Sequence, residues 1–115
     1  MPSHSMRNHF ARSSPSVAAT YDALVAEARR FGPVREEPKK TSIHLARRTA
    51  FAGVAIQRAA LILTLKSARD ITSKRVRRRE QISAGRWHVE VRLAAPDEVN
   101  SQIVGWLRRA YALAT

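Results

Sequence analysis

Residues 86–93, RWHVEVRL, alternate without a break: Trp87, Val89, Val91 and Leu93 take one side of an extended chain, and His88, Glu90 and Arg92 the other. Successive side chains of a strand point to opposite faces, so this pattern demands a sheet with one face on a core and one in water. Three further stretches keep the same period. In TSIHLARR, Ile43 and Leu45 alternate with His44 and Ala46; in AFAGVAIQR, Ala52, Val54 and Ile56 oppose Phe51, Gly53 and Ala55. In ALILTLKS, Leu61, Leu63 and Leu65 point inward against Ile62, Thr64 and Lys66. The connections Arg47-Arg48-Thr49 and Gln57-Arg58-Ala59 are short enough for hairpins, which makes the neighbouring strands antiparallel.

Helical periods flank these strands. Ser14-Pro15 reads as an N-cap followed by proline at the first helical position. Val17, Tyr21, Leu24, Val25 and Ala28 then fall on one helical face, and Gly32-Pro33 ends the helix. Pro96 is expected to open a last helix, with Asp97 and Glu98 in its positive first turn and Val99, Ile103, Trp106, Leu107 and Ala110 as its apolar stripe. The expected fold is α+β and two-layered: a four- or five-stranded antiparallel sheet with N- and C-terminal helices on one face. The single domain spans residues 16–115, after a flexible basic tail at 1–15 in which His4 and His9 carry no site.

An ordered series of residues carries a resemblance. Gly32-Pro33-Val34, Lys40-Thr41-Ser42-Ile43 and Phe51-Ala52-x-Val54 form its first half. Arg86-Trp87-His88 before a strand, and Asp97…Trp106-Leu107…Ala110-Tyr111 in the last helix, form its second. Over residues 17–114 this series resembles a small bacterial domain-of-unknown-function family, numbered 5655, whose general shape is similar to YdhG-like and MmcQ/YjbR-like domains. The resemblance implies the α+β fold and brings no activity, cofactor or site residue with it. The chain departs from it at Asn100, where the family often has an acid.

At 115 residues there is one core and one domain. The chain has no cysteine, which excludes disulfides, thiolate metal sites and cysteine nucleophiles. It also has no apolar run of the roughly 18 residues that a membrane span needs, and its first residues lack the apolar core of a secretory signal. The expectation is a soluble, cytoplasmic protein with no membrane partner.

Charge points to a partner class. Lys and Arg number 21 against 9 acids, a net +12. Between Lys66 and Arg92 nine basic residues face three acids, giving +6, half the total. SKRVRRREQ, residues 73–81, is the densest part of this run. Guanidinium groups there make Arg69, Lys74, Arg75, Arg77, Arg78, Arg79 and Arg86 candidates for contact with nucleic acid or another polyanion, largely without regard to sequence. Two bland alternatives compete: a GC-rich genome fills surface positions with Arg, and charges on an edge strand keep sheets from pairing with one another. His44, Arg48, Lys66, His88 and Arg92 form a second candidate, an interaction face on the outer side of the sheet. Ile62 and Phe51, read as outward, would give that face an apolar patch for protein interaction or self-association.

His44, His88 and Glu90 have the donor types of a two-His, one-carboxylate metal site, but a solvated sheet face explains them better, and no metal or cofactor is expected. The acids show no spacing suited to general acid/base work, and no nucleophile elbow or phosphate-cradling glycine loop is present. The sequence leans away from an enzyme and toward a binding module.

Overall fold

The computed structural model describes residues 5–114. In chain order these form α1 (Met6–Phe10), α2 (Pro15–Arg29), β1 (Arg35–Pro38), β2 (Ile43–Ala46), β3 (Ala50–Ile56), β4 (Leu61–Ser67), β5 (Val76–Ser83), β6 (Arg86–Leu93), a 3-10 turn (Pro96–Glu98) and α3 (Ser101–Leu113). The strands make one antiparallel sheet in the order β1-β2-β3-β4-β6-β5. The two-layer α+β architecture is the expected one, with six strands in place of four or five. The two extra strands are the outermost pair. Neither alternates: β1 is REEP, and β5 is VRRREQIS without one buried residue.

β2, β3 and β4 follow one another as hairpins, as their short connections require. β4 and β5 both run antiparallel to β6, so residues 68–75 travel back along the sheet before β5 begins at its outer edge. Arg79 pairs with Val89 and shares its core side, and Arg79 Nε lies 3.0 Å from Asp70 Oδ1, which places the crossing on that side. β5 returns into β6 through Ala84-Gly85, where Gly85 takes φ +71°, a left-handed conformation that glycine adopts without strain.

α2 and α3 cover the face built from Val54, Leu63, Leu65 and Val91. All the expected inward residues of α2 are buried: Val17, Tyr21, Leu24, Val25 and Ala28. Fully buried side chains such as Leu24, Leu63, Leu65 and Leu107 each contribute about 1.5–3 kcal/mol over an exposed position. Polar ties lock the outer elements to this core. Tyr21 donates to Glu36 Oε1 on β1 at 2.6 Å, and Arg29 donates to Glu36 Oε2 at 2.9 Å. Burial pushes the Tyr21 phenol well above its ordinary pKa, and the bond to Glu36 and that carboxylate's charge push it further, so Tyr21 stays a donor. Tyr111 sits edge-on to Phe51 and donates to Pro33 O at 3.0 Å. A Cβ on Gly32 would overlap the Tyr111 hydroxyl, which is why the chain turns on a glycine there.

Two expectations are corrected. Phe51 is fully buried against Tyr111 and does not face outward. The β2–β3 register shifts between Leu45 and Ala46, which pair with Ala52 and Ala50, so Phe51 is the extra residue of a bulge and turns into the core. The last helix starts at Ser101, not Pro96: Asn100 is its N-cap, accepting from the Ile103 N–H at 3.2 Å. Pro96 opens the 3-10 turn instead, and Glu98 Oε1 accepts from the backbone N–H groups of Ala94 and Ala95. Within the stretch expected as a tail, residues 1–4 lie outside the described residues, His4 among them. The rest carries α1, capped by Ser5, with the Phe10 ring 5.2 Å from Tyr21 and edge-on to it.

Candidate anion-docking face

Both long helices lie on one side of the sheet, so its other side carries no helix over its central strands. Antiparallel register puts the residues of that open side in rows. One row reads Glu37, His44, Gly53, Thr64, Glu90 and Arg78 across all six strands. A second places Lys66 beside His88 and Glu80; a third places Ala55 beside Ile62 and Arg92. Arg86, next to inward Trp87, also points to the open side. Ile62 lies on this face as expected, yet is only 8% exposed, too little for an apolar patch.

β3 gives this face only small side chains, Gly53 and Ala55, between larger ones on β2 and β4. The result is a groove of ≈ 290 Å³ lined by Ser42, His44, Gly53, Ala55, Thr64, Lys66 and His88, among others. Of the expected interaction face, His44, Lys66 and His88 therefore meet at one groove, and Arg92 stands further along the same side. Arg48 is not with them. It sits in the β2–β3 turn, with its N–H bonded to Ala114 O at the end of α3. His44 and His88 are separated by β3 and β4, three inter-strand steps of about 4.8 Å each. They cannot share an ion with Glu90, and among the described residues no three His, Asp or Glu side chains cluster to hold a metal.

The basic run does not converge. Arg75 is committed to the fold: its guanidinium donates to Asn100 Oδ1 at 2.9 Å and to Glu98 O at 2.8 Å, pinning the start of β5 to the start of α3. Arg77 lies 3.9 Å from Glu90 toward the open side, while Arg79 pairs with Asp70 on the other. Arg78 and Arg86 face the open side; Arg69 and Lys74 are exposed in the β4–β5 crossing. The seven residues thus divide between two faces and one tether. A pleated strand alternates its side chains, so apart from Arg77 and Arg78 at the bulge the run of arginines divides between surfaces.

Some cations on the helix side are occupied, while Arg7 and Arg109 are exposed with no carboxylate within ion-pair distance among the described residues. Arg29 and Arg30 pair with Glu36 and Glu27, and Arg108 lies over the Phe31 ring. On the open side, Lys66, Arg86 and Arg92 have no carboxylate within ion-pair distance among the described residues. The groove floor was not among the expected site residues. A glycine in the middle of a central strand was the signal that marked it.

With this geometry in place, the comparisons are decisive for family alone. The family described as Domain of unknown function (DUF5655) matches residues 6–114. The chain belongs to that family. The match takes in α1 as well as the residues from 17 onward on which the resemblance rests. No curated protein and no solved structure matches the chain. Among the described residues no helix is long and apolar enough to cross a membrane.

Proposed function

We propose that this chain is a non-enzymatic binding module that takes an anionic polymer, nucleic acid above all, on the open side of its sheet, in the cytoplasm. The observation that supports this is the gathering of Lys66, Arg86 and Arg92 on that side with no ion-pair partner among the described residues, whereas Arg29, Arg30 and Arg108 on the helix side are paired or stacked. Arg78, in register with Glu90, adds a fourth charge. Apart from the His44 and His88 imidazoles, no aromatic ring lies in the open-side rows, so the contacts are chiefly to phosphates and not to stacked bases. Four phosphate contacts give a slope of log affinity against log salt of about −3 on single strands, which is weak and steeply salt-sensitive binding.

Fluorescence anisotropy with a labelled single-stranded oligonucleotide, at low and at physiological salt, tests this. The variant Lys66→Ser/Arg78→Ser/Arg86→Ser/Arg92→Ser should lose at least tenfold in affinity at low salt. No binding by the native chain, or equal binding by the variant, overturns the proposal.

The alternative is a protein-interaction or self-association module. Its motive is now the free edge of β5, eight residues long, since the apolar patch expected from Phe51 is absent. The charges and the two register irregularities of β5 oppose pairing with another edge. Sedimentation showing a concentration-dependent dimer would favour this reading over the first.

A further inference from the structure

Gly53 lies in the middle of β3, a strand paired on both sides. Glycine there costs about 0.5–1 kcal/mol relative to alanine, so its presence calls for a reason. Backbone conformation does not supply one: the positive-φ glycines are Gly32 and Gly85. Crowding does not supply one either. A Cβ on Gly53 would meet only His44 Cδ2, at an ordinary 3.9 Å. The bulge in this strand pair falls at Leu45/Ala46, away from the regular His44–Gly53 pair. What the missing side chain does is keep the groove open.

The groove's two ends differ. Gly53 and Ala55 form a flat, apolar floor flanked by His44 and Thr64, and Lys66 and His88, in register with each other, stand at one end. Lys66 is half-buried and has no carboxylate partner among the described residues. Glu80, in register on the far side of His88, is exposed. At ≈ 290 Å³ the space is at the lower limit of small-molecule sites, which run from roughly 300 to 1,000 Å³.

We propose that this groove binds a small organic anion with a flat apolar body, the body on Gly53 and Ala55 beside His44, and the carboxylate or phosphate head at Lys66 and His88. Lys66 supplies the charge and the imidazoles supply N–H donors. The site is separate from the polymer contacts on β5 and β6, sharing only Lys66 with them.

The test is an amide NMR titration with benzoate, with phenyl phosphate, and with benzyl alcohol as an uncharged analogue. At least one anion should give saturable shifts centred on Gly53, Thr64 and Lys66, with at least fivefold weaker binding of the alcohol. The two anions show which head the site prefers. Gly53→Val fills the floor with a strong strand former, so the fold is kept or stabilised while anion binding drops at least tenfold. Lys66→Gln should weaken both anions and leave the alcohol unchanged. Oligonucleotide affinity should be unchanged in Gly53→Val, which separates this site from the polymer surface. Saturable shifts from neither anion, undiminished binding in Gly53→Val, or equal affinity for the alcohol each overturn the proposal.

Discussion

Arg75 separates charge that holds the fold from charge that is free to bind. Its two bonds, to Asn100 Oδ1 at 2.9 Å and Glu98 O at 2.8 Å, join the first residues of β5 to the N-cap of α3. Arg75→Met keeps the aliphatic stem and removes both bonds. Bonds to charged groups are worth about 1.5–3 kcal/mol when buried, but Asn100 is exposed and the Glu98 carbonyl only partly covered. The two together should therefore cost about 2 kcal/mol. For a domain of this size that is a fall in Tm of roughly 8 °C. Urea denaturation should show a lower midpoint with unchanged slope, because the surface exposed on unfolding stays the same. Arg78→Met, by contrast, removes an exposed open-side charge and should change stability by no more than about 0.5 kcal/mol while weakening oligonucleotide binding. Measured side by side, the first variant should lose stability and the second affinity. If Arg75→Met keeps its Tm and loses as much affinity as Arg78→Met, the tether is not a tether and the division of the arginines is wrong.

The two constrained glycines should differ in cost. Gly32→Ala drives a Cβ into the Tyr111 hydroxyl and displaces its bond to Pro33, at about 3 kcal/mol by thermal denaturation, whereas Gly85→Ala has open space around it and should cost about 1 kcal/mol of backbone strain. Tyr21→Phe removes the bond to Glu36 and should cost about 1–2 kcal/mol at neutral pH. Because the folded phenol holds its proton above its ordinary pKa of 10.0, its contribution is full below pH 10 and is lost as pH rises beyond it; the native chain should therefore lose stability above pH 10 faster than Tyr21→Phe does, in paired denaturation curves.

Much of the fold is legible in the sequence where burial imposes a period. α2 shows its inward face at Val17, Tyr21, Leu24, Val25 and Ala28, and β6 shows both of its faces. Edges impose no such period, so β1 and β5 carry no alternation to find. Phe51 is illegible for another reason: a bulge inserts one residue, and everything deduced by counting in twos across it changes side. The start of α3 was hidden because Pro96 and its following acids suit a 3-10 turn as well as a helix, and Asn100 is the true cap. The candidate site shows the same limits. His44, Lys66, His88 and Arg92 share the open side because strand alternation fixes it, but Arg48 lies in a turn, which alternation does not govern. The tether role of Arg75 depends on a contact 25 residues away in sequence, which no local pattern encodes.

The central claim, that an anionic polymer docks on the open side of the sheet, is tested most directly by mapping amide shifts during titration with a single-stranded oligonucleotide at low salt. The account predicts the largest shifts at Lys66, Arg78, Arg86 and Arg92 and their strand neighbours, fading as salt is raised. Shifts centred on Arg108 and Arg109 of α3, or no shifts at any oligonucleotide concentration, would contradict it.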